Sequence, residues 1–325
     1  MLTISFLEKG NTDCLKGIFA VAILLCHLCG RTGIGSSIGL GPIYTAMGYL
    51  SVAIFLVLSG YGLAYSYDQR KERYLSGFFF NRVLSLYVLQ CVLIIVYGTL
   101  KYFFSKDAIQ IRDVIQSFLF GKTVISNGWY LQVILLFYLL FYASFKWFKH
   151  PLAILLISTI VYILTCMAFC LGTTWYECIL CFDLGFFIYN FRDKLSSIYQ
   201  SKEKFLIVIS VIFVLFIVCF VLGTRGIIES NRVKIVFKMT SALLFAIWVL
   251  LTSNMITLKG RVTSWLVNFY LEIYLLQGIV FLLCNNRYWH IANPYVYFVI
   301  ALGCVFWGAR FAHPIVNMIL YLTKK

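Results

Sequence analysis

Apolar runs long enough to cross a bilayer follow one another along this chain. They lie near 13–30, 46–67, 78–104, 128–148, 151–171, 175–191, 204–223, 235–254, 264–285 and 295–321. A helix needs about 20 apolar residues to span a hydrocarbon layer of about 30 Å. Backbone N–H and C=O groups there have no water to bond, so such a series folds as helices that satisfy their own hydrogen bonds. The chain therefore reads as all-α, a polytopic membrane helix bundle with about ten transmembrane helices. Ten such runs in 325 residues leave almost no length for a water-soluble domain. The 12% charged content, against about 25% in an ordinary soluble chain, agrees with this.

The net charge of +15 raises a nucleic-acid partner, which its distribution excludes. Basic residues stand singly between apolar runs and form no patch or arm. Cytoplasmic loops are enriched in Lys and Arg, and this bias sets the orientation. With the N-terminus inside, the cytoplasmic segments receive Lys9, Lys16, Arg70, Lys71, Arg73 and Arg82, while the opposite side receives fewer, among them Arg31, Arg225 and Arg232. The expectation is a multi-pass protein of the cell membrane, surrounded by membrane lipid, with both termini cytoplasmic. Lys149–Pro151 makes a tight hairpin, and the longest loop, 105–127, carries an amphipathic stretch, Ile109–Phe120, suited to lie along the interface. Pro42, Pro151, Pro294 and Pro314 fall at or near expected helix ends.

Most of the eleven cysteines sit inside apolar runs, where Cys acts as a small hydrophobe. Cys178-x2-Cys181 and Cys26-His27-x-Cys29 have metal-like spacing but no second pair to complete a site, so no metal is expected.

Polar groups inside a span are costly and mark the places where chemistry is done. The first helix holds Asp13, Lys16 and His27. Lys16 and His27 are eleven residues apart, which returns them to one helix face about 16 Å apart along the axis. An uncharged imidazole there accepts a proton; the plainer role is a core histidine bonded to a neighbouring helix. His150 falls in a hairpin, His290 in an outer loop and His313 near the end of the last span. Glu177 and Asp183 lie near span ends, so Glu272 is the carboxylate that demands a partner. Further polar or aromatic features are Ser59-Gly60-Tyr61, Phe80 with Arg82, Trp129 and the Tyr270–Gln277 stretch.

Taken in order, these residues resemble the acyltransferase-3 family of integral membrane O-acyltransferases. The family's first helix carries Arg or Lys, ten residues, then His, often after Asp, as in Asp13, Lys16 and His27. Its second helix ends in an apolar run and Ser-Gly-aromatic, as in Phe55–Tyr61, and its third begins with an aromatic residue and Arg, as in Phe80 and Arg82. The pattern departs at Ser85 and Val88, which replace an Arg and a Pro. It departs also at Ile134, where many members have Glu, and at Gln277, which ends the family's Tyr-Leu-x-His as Tyr274-Leu275-Leu276-Gln277.

The resemblance implies a single transmembrane acyltransferase domain over residues 1–325. It implies transfer of an acetyl group from acetyl-CoA, a substrate and not a bound cofactor, to a hydroxyl of a cell-surface glycan or its lipid-linked precursor. His27 is then the catalytic base, because Gln277 cannot accept a proton at neutral pH. Lys16, with Asp13, and Arg82 meet the polar end of acyl-CoA, and Trp129 is placed to stack on a sugar. Ser59, Tyr61, Glu272, Tyr274 and Gln277 complete the expected substrate-binding set. Each also has a plainer reading: Lys16 and Arg82 as positive-inside anchors, Trp129 as interfacial belt, and Ser59-Gly60 as a close helix crossing. The alternative function is a transporter or flippase of sugar or lipid-linked cargo, against which stand the lack of an internal repeat and the proline positions.

Overall fold

The computed structural model describes residues 7, 9–36, 39–105, 109–118, 124–256 and 258–323, with only the backbone at 199 and 200. The chain is helical nearly throughout. In order come α1 (Lys9–Thr32), α2 (Gly41–Arg70), α3 (Glu72–Phe78), a π-helical segment (Phe79–Leu84), α4 (Ser85–Phe104), α5 (Ile111–Phe118), α6 (Trp129–Trp147) and α7 (Pro151–Ala168). There follow α8 (Leu180–Asn190), α9 (Arg192–Ser196), α10 (Lys202–Thr224), α11 (Asn231–Ser253), α12 (Arg261–Cys284) and α13 (Pro294–Leu322). Among the described residues nine helices are long and apolar enough to cross a membrane, Glu72–Phe104 counting as one. The tenth run, near 175–191, forms turns and the eleven-residue α8.

The helices fall into two compact units. One comprises Met1–Ala22, Thr45–Lys71 and Leu152–Asn268; the other comprises Ile23–Tyr44, Glu72–Pro151 and Phe269–Lys325. In the first, an aromatic cluster of Phe19, Phe213, Phe216, Phe245 and Trp248 joins α1, α10 and α11. Here α2 and α8 cross at backbone contact. A Cβ on Gly60 would run into the carbonyl oxygen of Phe182, and one on Gly185 into that of Val57. Ser59-Gly60 thus serves close packing, the small-residue device of membrane helices. Tyr61 is buried one step on, edge-on to Tyr189 at 5.5 Å.

In the second unit the core gathers Leu89, Leu93, Ile94 and Tyr97 of α4 with Val124, Ile125, Leu131, Leu275 and Val316. The amphipathic stretch after α4 forms α5, whose Val114 stands next to Gly98 of α4 and whose Phe118 lines one groove with Leu84 and Tyr87. Residues 119 and 120 of the stretch lie outside the described residues. The segment is held by Ser117, fully buried, whose hydroxyl accepts the N–H of Val124 at 2.7 Å and donates to the carbonyl of Asp113 at 3.0 Å. Non-helical backbone is tolerated at depth only where protein supplies such bonds.

Two helix details bear on the site. The π segment places Phe80 and Arg82 in a widened turn, a form common at functional sites. Ser85, standing where the family has Arg, donates to the carbonyl of Phe80 at 3.0 Å and accepts from the Thr323 hydroxyl at 2.6 Å. Pro314 is not at a helix end: it lies inside α13, which continues to Leu322. Membrane helices accommodate an internal Pro because neighbouring groups satisfy the freed carbonyl. The start of α13 is capped as its sequence requires, with the Asn293 side chain accepting from the N–H groups of Tyr295 and Val296 and Pro294 in the first turn.

The α2–α8 crossing makes a stability prediction. Gly60→Ala forces two backbones apart and costs about 1–3 kcal/mol. Gly62→Ala, with nothing within 4 Å of the added carbon, gains up to about 1 kcal/mol of helix propensity. Melting of the two purified variants in detergent, compared with the parent, checks the opposite signs.

Candidate functional site

The register of α1 against α12 sets the geometry. In the first unit a Cβ on Gly10 would touch Lys259 and one on Gly17 would touch Leu266, an offset of 249 residues at both places. The two helices therefore run parallel. In the second unit the guanidinium of Arg31 stands 4.7 Å from the ring centre of Phe281, an offset of 250. One turn before these, on two unbroken helices, stand His27 and Gln277. The imidazole, half-buried, and the amide, 1% exposed, are thus level with each other.

The surroundings of Gln277 are tightly made. Tyr274, one turn earlier, donates its hydroxyl to the carbonyl of Asn127 at 2.6 Å and meets Tyr130 edge-on at 5.7 Å. Gly278 lies against the phenol of Tyr97 and the side chain of Ser126. Trp129, half-buried at the start of α6, stands beside Tyr130 at 6.2 Å. Both ends of the Gln277 amide nevertheless lack a hydrogen-bond partner among the described residues. A buried amide left unbonded costs about 1–3 kcal/mol, so this is a place where a polar ligand group adds stability.

Lys16 is engaged within its own helix. Its ammonium lies 2.9 Å from the carboxylate of Asp13, an i,i+3 pair, both side chains about a quarter exposed. Such a pair is worth no more than about 1 kcal/mol and opens readily to a stronger anion. Arg82, in the second unit, has an exposed side chain whose guanidinium stands among the phenols of Tyr74, Tyr138 and Tyr270.

Glu272 finds the partner its position demands, and it is a residue the sequence placed near a helix end. The Nδ1 of His313 lies 2.8 Å from a carboxylate oxygen of Glu272, which is only 3% exposed. Asn317, one turn on, reaches the Nε2 of His313 at 2.8 Å, and Phe269 closes edge-on at 5.1 Å. With the Asn317 amide donating to Nε2, Nδ1–H points at Glu272 and the carboxylate fixes the tautomer. The signal in the sequence was the unpaired Glu272 itself; the spacing of 41 residues to its partner carried none.

Elsewhere the first unit buries a second ion pair, Glu177 with Lys238 at 3.6 Å, beside Tyr49, whose hydroxyl is 3.1 Å from that of Ser241. The Cys178 thiol donates to the Tyr49 carbonyl at 3.0 Å. No three His, Cys, Asp or Glu groups meet in a metal-holding arrangement among the described residues.

A family profile, that of an acyltransferase domain, matches residues 10–311. The chain belongs to this acyltransferase family. The match takes in Asp13, Lys16, His27, Arg82 and Gln277 and stops just short of His313. No curated protein and no solved structure matches the chain. The protein is accordingly a multi-pass membrane acyltransferase, with an acyl donor and an acyl acceptor.

Removing the donor of a buried acceptor leaves that acceptor unsatisfied, at a cost of about 1–3 kcal/mol. His313→Leu therefore destabilises this acyltransferase by about that much, whereas Glu272→Gln with His313 intact keeps the hydrogen bond and most of the stability. Thermal melts of the two variants check the asymmetry.

Proposed function

We propose that this acyltransferase moves an acetyl group from acetyl-CoA to a hydroxyl of a cell-surface glycan or its lipid-linked precursor, in the cell membrane, with both termini cytoplasmic. The observation that carries the reading is the level pairing of His27 with the unbonded amide of Gln277, inside a chain of acyltransferase ancestry. His27 takes the proton of the acceptor hydroxyl as its oxygen attacks the thioester carbonyl. The tetrahedral centre then expels the CoA thiolate, which recovers that proton from the imidazolium, so the enzyme ends as it began. The Gln277 N–H groups bond the carbonyl oxygen as it gains charge, an electrostatic role that an amide fills and a neutral aliphatic side chain does not.

In this reading Arg82 holds the phosphate end of the donor. Tyr274 and Glu272 act behind the site: Tyr274 fixes α12 against the start of α6, and Glu272 fixes α12 against α13. Trp129 flanks the acceptor. In this reading Ser59 and Tyr61, which flank the Gly60 crossing with α8, stand behind the reacting groups. Transport of sugar or lipid-linked cargo gains one observation, the internal Pro314, and family membership favours acyl transfer over it.

Loss of a general base costs about 10²–10⁴-fold in rate. His27→Ala, expressed and inserted like the parent, is expected to lose that much acetyl transfer from acetyl-CoA to glycan in membranes, and Gln277→Ala to lose about tenfold. Near-parental transfer by His27→Ala removes the mechanism. Orientation is read separately: a single cysteine placed at the C-terminus of a cysteine-free variant stays unlabelled by an impermeant maleimide in intact cells.

A further inference from the structure

The nine residues that join α12 to α13, 285–293, are built as a fixed display. Asn286, 2% exposed, accepts the N–H groups of Tyr288 and Trp289 on its side-chain oxygen at 2.9 and 3.3 Å and donates its amide to the Leu283 carbonyl at 2.8 Å. Its own backbone N–H meets the Trp289 carbonyl at 3.0 Å, and Asn285 bridges to His290. The loop is tied to the end of α4. There the Arg287 N–H donates to the Phe104 carbonyl at 3.0 Å, and the Phe104 ring stands edge-on to Tyr288 and Trp289 at 5.9 and 6.2 Å. The two rings so placed are 62% and 51% exposed. An interfacial belt uses aromatic rings at this level, but it does not need a buried asparagine to fix their positions.

The same end of the unit is cationic without counter-charge. The described segments at this end, 27–36, 97–105, 124–131 and 281–297, hold Arg31, Lys101 and Arg287 and no Asp or Glu, and α5 adds one of each sign, Arg112 and Asp113. Topology does not account for the three cations. This end lies opposite the Ser85–Thr323 contact, hence outside in the orientation proposed above, where Lys and Arg are the scarcer residues. Arg287 leans on its neighbour, the guanidinium 4.7 Å from the Tyr288 ring. Arg31 is exposed, lies over the Phe281 ring near the phenols of Tyr97 and Tyr297, and pairs with no carboxylate among the described residues. It follows His27 by four residues, on the same face of α1 and about 6 Å further out along the axis.

A sugar that carries a carboxylate or phosphate beside its free hydroxyl matches this arrangement. A guanidinium grips either anion through two parallel bonds, and doing so one turn beyond His27 leaves a hydroxyl of the same sugar facing the imidazole. The negatively polarised face of an indole attracts the C–H groups of a sugar ring. The headgroup of an anionic lipid would satisfy the cations but makes no use of two rings fixed in place. We infer that the acceptor is an anionic glycan, with Arg31 holding its negative group above His27 and Trp289 stacking on a neighbouring sugar. This rests on the glycan-acceptor reading and the orientation above, and not on acetyl-CoA as the donor.

Equilibrium binding of fluorescently labelled oligosaccharides to the purified full chain in neutral-lipid nanodiscs tests it. The probes are an oligogalacturonate and a glycerol-phosphate-bearing oligosaccharide, each beside a neutral counterpart of equal length. Melting curves and acetyl-CoA binding are measured in parallel for every variant. At least one anionic probe should bind about tenfold more tightly than its neutral counterpart. Arg31→Gln, at an exposed position, should erase that preference and leave the neutral probe unchanged. Trp289→Ala should weaken both members of the pair about fivefold, and Trp289→Phe should recover most of the loss. Trp307→Ala, on an exposed part of α13, serves as the control and should bind like the parent. If no probe binds, or if Arg31→Gln keeps the preference, the anionic subsite is wrong, and acetyl-CoA binding that persists leaves the proposed reaction standing. If Arg31→Gln instead loses an anionic phospholipid that copurifies with the parent, and glycan binding is unmoved, the cations serve a lipid headgroup and the inference falls. If Trp289→Ala melts lower yet binds both probes like the parent, the ring is structural and the stacking contact is wrong. If the parent binds an anionic probe through Arg31 but no acetyl-CoA, the donor reading falls and the acceptor subsite stands.

Discussion

Within hydrocarbon a polar side chain has only other protein groups to bond, and this single constraint organises the chain. Glu272 meets it with His313, and His313 in turn with Asn317, so that α12 and α13 are joined by a chain of bonds where apolar contact alone has little directional force. Ser117 meets it with the Val124 N–H, and Glu177 has the Lys238 ammonium 3.6 Å away. Against this background the unmet groups stand out. The amides of Gln90, Gln132 and Gln277 are each no more than 3% exposed and each has at least one atom without a partner. All three belong to the unit that also holds His27 and Arg82. Tyr97, Glu177 and Asp183 also bury an oxygen without a hydrogen-bond partner among the described residues, but the three amides gather in one unit, and a buried amide left open calls for an explanation.

The second organising element is close approach of backbones at small residues. Gly10 and Gly17 let α1 lie against α12 in the first unit, and in the second unit the contact of Arg31 with Phe281 puts His27 level with Gln277 one turn earlier. Gly60 and Gly185 do the same for α2 and α8. Within the Ser-Gly-aromatic element of the second helix, Gly60 is a packing device, since the crossing leaves no room for a side chain at residue 60.

Much of this was legible in the sequence and some was not, for identifiable reasons. Hydropathy located the spans because the apolar demand of the bilayer is local and additive along a window. It overextended the run near 175–191, since Glu177 and Tyr176 are buried by tertiary contacts that a window does not see, and the chain there turns before forming α8. The amphipathic stretch at 109–120 was legible as a helix with one apolar face, but the buried hydroxyl of Ser117, which ties α5 to the Val124 N–H, is one residue's effect that a periodicity does not show. Pro314 was placed at a helix end because Pro usually ends helices in water, whereas α13 runs on past it. Asp13, Lys16 and His27 were visible as charges in an apolar run. His313, Gln90 and Gln132 were passed over because a single polar residue in a span gains meaning only when its neighbours are known.

The two cations proposed to meet the donor are not equivalent. Lys16 carries its own counter-charge, Asp13, at 2.9 Å, so the pair presents little net field to an approaching anion. Arg82 is surrounded by Tyr74, Tyr138 and Tyr270, which bond a guanidinium without neutralising it. At an effective dielectric of about 20, a unit charge 4 Å away is worth about 4 kcal/mol to an anion, a gain that Arg82 offers in full and Lys16 only after Asp13 is displaced. A planar guanidinium also grips phosphate through two parallel bonds, which an ammonium does not. The π-helical turn, tied by Ser85 to the Phe80 carbonyl and to Thr323, holds that guanidinium in place. Ser85 thus takes the site at which the family has a second Arg and supplies position where that Arg would supply charge.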